Sequence, residues 1–171
     1  MKGVITMFQV GDYIIYGSNG VCKVEEIGPI KIGGVLSKKE YYFLLPIYVK
    51  GTMVYTPVDS EKTVMRPIIS KKAAHELISQ IDQIEPINEL EDREREFVYR
   101  KLMKTYDCKE LIKIIKTISI RKKIREEEGK KLIATDEKYL NLAKDCVLGE
   151  LSIPLQMKRE EVEEFILQKI D

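Results

Sequence analysis

The chain has 171 residues, enough for one sizeable core or two small ones. Its 29 Lys and Arg meet 28 Asp and Glu; residues 1–69 hold eight cations against six anions, and residues 70–171 hold twenty-one against twenty-two. This balance excludes a strongly basic nucleic-acid module, so any such role has to rest on a local patch, because phosphate affinity follows the cations placed against the backbone.

Residues 1–6 read as a short extension, with one Lys and no apolar run suited to a signal peptide. From Phe8 onward, apolar residues alternate at period two. Val10-Gly11-Asp12 forms a turn into Tyr13-Ile14-Ile15-Tyr16, and Gly17-Ser18-Asn19-Gly20 turns the chain into a second alternating run. Strands are expected near 12–16, 20–28, 40–48 and 52–57, with Ile68-Ile69 adding a short pairing. Gly33-Gly34 and Lys50-Gly51 mark the turns between them. Five short strands in about 65 residues fit a bent SH3- or Tudor-like β-barrel, a unit marginal by itself.

Near residue 70 the composition changes to charged segments with apolar residues at helical spacing. Strands followed by helices argue for a segregated α+β chain, a β-barrel domain over 1–69 and an all-α domain of about five helices over 70–171. Ser70 is placed to cap a first helix carrying Ala74, Leu77, Ile78 and Ile81. After Pro86, Asn88 and Glu91 have capping-box spacing for a second helix reaching about Thr105, with Phe97, Val98, Leu102 and Tyr106 as its apolar positions. Asp107 and Glu110 start a third, with Leu111, Ile114, Ile115 and Ile118 inward, ending before Gly129. Thr135-Asp136-Glu137 opens a fourth, its acidic first turn matched to the helix dipole, with Leu140, Ala143, Val147 and Leu148 as its stripe and Pro154 as its interruption. A last helix spans Lys158 to Ile170 through Val162, Phe165, Ile166 and Ile170.

Catalytic chemistry finds no foothold. His75 is the single histidine and has no nucleophile context. The glycine pairs sit in hairpin turns rather than before a helix, where a phosphate would need them. Glu25-Glu26 and Glu126 to Glu128 read as solvated charges. Cys22, Cys108 and Cys146 fit neither a zinc spacing nor a disulfide framework and read as thiols kept reduced in a cytoplasm. No segment approaches the about 20 apolar residues of a membrane span. The expectation is a non-enzyme with no metal, no cofactor, no small-molecule substrate and no membrane association.

Taken together, Phe8-x-Val10-Gly11-Asp12-x-Ile14-Ile15-Tyr16, Gly20-Val21, Lys39-Glu40-Tyr41-Tyr42-Phe43-Leu44, Val54-Tyr55-Thr56-Pro57-Val58 and Met65-Arg66-Pro67-Ile68-Ile69-Ser70 resemble the CarD/CdnL family of bacterial transcription regulators. The amino-terminal domain of that family is shared with transcription-repair coupling factors. The resemblance is strong over 7–70 and looser to about 155, where Leu148-Gly149-Glu150-Leu151 matches best. It implies a cytoplasmic protein, associated with the nucleoid through RNA polymerase, whose barrel docks on the polymerase β subunit by pairing a strand edge. The matching strand is Thr52-Met53-Val54-Tyr55-Thr56, flanked by Ile30, Lys31 and Lys39, with Arg66 either a contact or a brace. Tyr55 stands where the family often carries a basic residue.

The resemblance also implies a helical domain at promoter DNA, on its phosphates and minor-groove edge, where family members use a tryptophan wedge. This chain has no tryptophan, and the matching segment, Pro86 to Arg95, is acidic. Leu90 there reads as a core or staple residue ahead of a weak wedge. The candidate DNA contacts are Arg93, Arg95, Arg100 and Lys101 on the second helix, Arg121, Lys122 and Arg125 in the basic run 116–131, and Lys138. Two readings stand: a polymerase-docked regulator of the open complex, or an adaptor whose helices recruit another protein. Intrahelical ion pairs such as Glu96 with Arg100 are the plainer account of any one of these cations.

Overall fold

The computed structural model describes residues 7–88 and 90–170, and the chain divides at Ile68/Ile69 into two compact units. The extension read at residues 1–6, and Glu89 of the acidic segment, lie outside the described residues.

The first unit is a five-stranded antiparallel sheet in the order β4-β3-β2-β1-β5, built from β1 (Tyr13–Tyr16), β2 (Val21–Ile32), β3 (Val35–Pro46), β4 (Val54–Pro57) and β5 (Met65–Pro67). The Val-Gly-Asp entry works through two hydrogen bonds. Gly11, at φ 93°, donates its N–H to the Val24 carbonyl at 2.7 Å, and the Asp12 carboxylate accepts the Gln9 N–H at 2.8 Å. A side chain at position 11 would be strained at that φ. Behind the turn lies a small core of Phe8, Ile14, Cys22, Val24, Tyr42 and Leu44, in which the Phe8 and Tyr42 rings stand 5.7 Å apart.

β2 and β3 are each longer than their alternation indicates, 12 residues instead of runs ending near 28 and starting near 40. Their far ends form a two-stranded ribbon closed by Gly33-Gly34, both at positive φ as a two-residue hairpin turn requires. This ribbon buries little, so its residues carry no inside/outside pattern to read. Ile32, Val35 and Leu36 at its tip are all more than half exposed. The pairing expected at Ile68-Ile69 is the end of a longer one: Met65, Arg66 and Pro67 lie opposite Tyr16, Ile15 and Ile14, and the Ile68 N–H donates to the Tyr13 carbonyl at 3.3 Å.

The second unit holds α1 (Lys71–Ser79), α2 (Asp92–Met103), α3 (Cys108–Glu127), α4 (Ala134–Leu155) and α5 (Arg159–Ile170) around one core that includes Tyr99, Leu111, Ile115, Ile118, Ala143, Val147, Leu151, Val162 and Ile166. Ser70 caps α1 by accepting the Ala73 N–H at 3.1 Å, and Asp107 caps α3 by accepting from Lys109 and Glu110. Ile81, expected on α1, is buried on a single 3₁₀ turn that follows it.

Four expectations for the helices are corrected. α2 starts at Asp92, not after Asn88, and Glu91 occupies the cap position without a side-chain bond. Phe97 and Phe165, expected inward, are 67% and 47% exposed. α4 begins at Ala134, one residue ahead of the Thr-Asp-Glu run, and Asp136 turns into the core. Pro154 lies inside α4. The ring removes only one late helical bond, and the helix stops one residue beyond it, where Gln156 adopts a left-handed conformation at φ 54°.

Glu150 ties the start of this unit to its middle. Its buried carboxyl group accepts the Ile69 N–H at 2.8 Å and the Cys108 thiol at 3.1 Å. In the β unit, burial pushes the Cys22 thiol from its ordinary value of 9.0 up to about 11. A thiol harder to ionise when folded keeps its full contribution below pH 9 and loses it as pH rises to 11, because only the unfolded chain gains the thiolate's solvation. Urea unfolding is therefore expected to show β-domain stability falling between pH 9 and 11, by up to about 2–3 kcal/mol. A Cys22→Ala variant, less stable from lost packing, is expected to show a flatter profile over the same window.

Candidate functional site

β4 is an outer strand of the sheet, paired on one side with β3 in the register Leu44↔Val54, Phe43↔Tyr55, Tyr42↔Thr56 and Tyr41↔Pro57. The Val58 N–H donates to the Glu40 carbonyl at 3.1 Å, which sets the parity of the ladder. Antiparallel pairs alternate between hydrogen-bonded and non-hydrogen-bonded, so Val54, Thr56 and Val58 turn their backbone groups toward β3. Tyr55 and Pro57 turn theirs away. Pro57 thus sits where its missing N–H costs the ladder nothing, and the free edge offers the Tyr55 N–H, the Tyr55 carbonyl and the Pro57 carbonyl.

Side chains divide the same way. Thr56 is 2% exposed and Val54 packs on the barrel core, whereas Tyr55 is 51% exposed. Its ring meets Phe43 edge-on with centroids 5.0 Å apart. This cross-strand pair holds the phenol in place over the outer face of the edge. Thr52 and Met53, expected within the strand, are exposed residues that lead into it.

Of the flanking residues, Lys39 lies on β3 and pairs with Asp59 at 2.8 Å; the hydrogen bond and charge of Asp59 raise its pKa. Both ends of that pair are exposed, so it is easily exchanged for another partner. Ile30 sits at a bulge in the β2–β3 ribbon, where the Ser37 hydroxyl accepts its N–H at 3.0 Å and donates to the Lys39 carbonyl at 2.7 Å. Lys31, exposed, follows it. Arg66 donates to the Pro67 carbonyl at 3.0 Å on β5, the outer strand at the other side of the sheet. Ile30, Lys31 and Lys39 are thus gathered on β2 and β3, while Arg66 is separated from β4 by three intervening strands.

The basic residues of the helical unit fall into two sets. Arg95 is 6% exposed; its guanidinium bonds Asp92 and donates to the Leu90 carbonyl at 3.0 Å. Arg121 is paired at 2.9 Å with Asp136, which is fully buried. Asp136 also accepts from the Tyr99 hydroxyl at 3.3 Å. Burial first, and then the Asp136 charge, push the Tyr99 phenol well above its ordinary value, against the opposing pull of Arg95 and Arg121. Arg121 therefore serves a buried polar cluster and Arg95 is held at the start of its own helix, while the Arg125 guanidinium turns back to the Lys131 carbonyl at 2.7 Å.

The second set faces solvent. Arg93 and Lys101 are exposed without an ion pair among the described residues. Arg100 pairs with Glu96 at 3.1 Å, and Lys122 with Glu126 at 3.8 Å, both at i,i+4 on exposed helix faces. Lys138 lies 5.2 Å from the centre of the Tyr139 ring, whose hydroxyl reaches Glu96 at 3.4 Å, so Lys138 and Arg100 share one neighbourhood. Leu90 and Arg95 help line a cavity of about 340 Å³ with Ile87, Tyr99, Ile120 and Arg121.

Three polar residues that build the interior, Tyr99, Asp136 and Glu150, carry no sequence signal for burial. Lys104, the residue that ends α2, is exposed on the same side as Arg93. Among the described residues no His, Cys, Asp and Glu cluster is arranged to hold a metal, and no helix is long and apolar enough to cross a membrane.

Residues 8–69 match the CarD-like/TRCF RID domain family, so the β unit is a domain of that family. It is a family of RNA-polymerase-interacting domains, protein-interaction modules rather than catalytic ones. The match ends where the helical unit begins. No curated protein matches the chain.

Arg95→Ala is expected to lower the stability of the helical unit by about 1–3 kcal/mol, since the Leu90 carbonyl loses its donor and the buried stem its packing. Arg93→Ala is expected to leave the urea midpoint unchanged. Denaturation followed by circular dichroism compares the two.

Proposed function

We propose that this chain is a transcription regulator tethered to the RNA polymerase β subunit by the free edge of β4, with its helical domain placed to act on the promoter open complex. The observation that carries the docking reading is the parity of β4. The residue with outward backbone groups, Tyr55, is also the one with an exposed, positioned aromatic ring. Strand addition takes its affinity from main-chain hydrogen bonds and its selectivity from the alternating side chains, and Tyr55 supplies both. Val54 and Thr56 remain committed to the barrel. Thr52, Met53, Ile30, Lys31 and Lys39 extend the contact around that edge, with Lys39 exchanging Asp59 for an acidic group of the polymerase. Arg66, on the opposite outer strand, acts as a local brace.

The helical domain is held near DNA by that first contact, whose high effective concentration makes weak phosphate contacts sufficient. Arg93, Arg100, Lys101, Lys122 and Lys138 are the side chains available for such contacts. Arg95, Arg121 and Arg125 are not, because each is engaged inside its own domain. That engagement is the observation favouring the second reading, an adaptor whose helices recruit another protein, because it thins the cationic surface. A nucleoid-associated cytoplasmic location follows from the docking reading.

Substituting Tyr55→Glu removes the ring and sets a charge on the edge while leaving the β3 ladder intact. Binding of the purified chain to an isolated β-subunit fragment is expected at micromolar affinity or tighter, with a loss of at least about tenfold in the variant. No binding by the unaltered chain sinks the docking reading. Equal binding by the variant moves the contact away from β4.

A further inference from the structure

Phe97 is the most exposed large apolar side chain of the helical unit, at 67%. At 3.6 residues per turn, Arg93, Phe97, Arg100, Lys101 and Lys104 fall within one arc of about 100° on α2, and no acidic residue shares it. Glu94 and Glu96 border the arc on either side. The opposite side of the helix carries Arg95 and Tyr99, both buried, so this stripe points directly away from the core.

Ordinary helix chemistry accounts for only part of it. Arg100 and Lys101 complement the dipole in the last turn, but Arg93 stands in the first turn, where a cation is unfavourable. Arg93, Lys101 and Lys104 have no ion pair among the described residues, and Arg100, itself exposed, is held by Glu96 and the Tyr139 hydroxyl. Phe97 contributes nothing to the core. A basic stripe about 16 Å long with an aromatic ring at its middle matches a flexible polyanion that can offer both phosphates and a flat apolar face.

We propose that this face of α2 binds single-stranded DNA, Phe97 stacking on an unpaired base while Arg93, Arg100, Lys101 and Lys104 neutralise the flanking phosphates. A duplex keeps its bases stacked and gives the ring no face. An acidic protein segment offers the charge but needs an apolar pocket to receive a projecting ring. Unpaired bases supply the π-face irrespective of sequence, each stack being worth about 1–3 kcal/mol, and the contact is strongly salt-dependent. The biological setting, the melted strand of an open promoter, rests on the promoter role proposed above; the binding itself does not.

The chain contains no tryptophan, so Phe97→Trp introduces a single fluorescent reporter on an exposed position. Titration of the full-length variant with a short oligothymidylate is expected to quench its emission saturably, with raised salt reversing the effect. In the otherwise unaltered chain, Phe97→Ala is expected to weaken oligothymidylate binding about tenfold, with the fold retained. Unchanged emission overturns the proposal. So does a duplex or polyglutamate bound as tightly as the single strand, the latter marking an acidic protein as the occupant. Binding to the β-subunit fragment, measured on the same variants, is expected to be unaffected. Its failure in the unaltered chain would remove the docking reading and leave the α2 surface standing.

Discussion

An antiparallel sheet that ends in two outer strands leaves backbone groups unpaired, and the docking proposed for this chain follows from where those groups lie. The order β4-β3-β2-β1-β5 gives the barrel one free edge on β4 and another on β5. On β4, the ladder parity puts Pro57 at an outward position, so the edge is interrupted on one side of Tyr55 and open at Tyr55 itself. Pro67 lies on β5, opposite Ile14. Each outer strand thus carries a proline, which limits indiscriminate edge-to-edge association. What remains on β4 is short, about one residue's donor and acceptor with a neighbouring carbonyl, and its selectivity has to come from the aromatic pair of Phe43 and Tyr55.

The helical unit is organised by a different constraint, the burial of charge. Asp136 is fully buried and tolerable there because Arg121 and the Tyr99 hydroxyl both reach it. Arg95 is buried against the Leu90 carbonyl and Asp92. A cation count therefore overstates the charge available to a ligand. Once these side chains are set aside, the exposed cations include those on α2 around Phe97, Lys122, Lys123, Lys130 and Lys131 at the end of α3 and just beyond it, and Lys138. A surface function of this domain has to be sought there.

Much of this was legible in the sequence, for identifiable reasons. Turns announced themselves through residues with few alternatives: Gly11 at its positive φ, Gly33-Gly34 in a two-residue hairpin, and Ser70 and Asp107 at helix starts. The strand β4 was visible through a run of matched positions, Val54 to Pro57. Illegible features came from tertiary partners. Asp136 and Glu150 read as ordinary surface acids until Arg121, Tyr99, Ile69 and Cys108 are brought to them. Phe97 misled in the opposite direction, since hydrophobicity placed it inward while Tyr99, two residues on, took the buried position with its hydroxyl satisfied. The distal β2–β3 ribbon, lacking a buried face, had no alternation to betray its length.

The central claim is that the outward backbone of Tyr55 pairs with a strand of the polymerase β subunit. Amide hydrogen exchange on the full chain, alone and with the β-subunit fragment bound, tests it at single residues. The account predicts that the Tyr55 amide, open in the free chain, becomes strongly protected on binding. The Thr56 amide, already committed to β3, changes little. A bound complex in which the Tyr55 amide still exchanges as in the free chain would contradict strand addition at this edge.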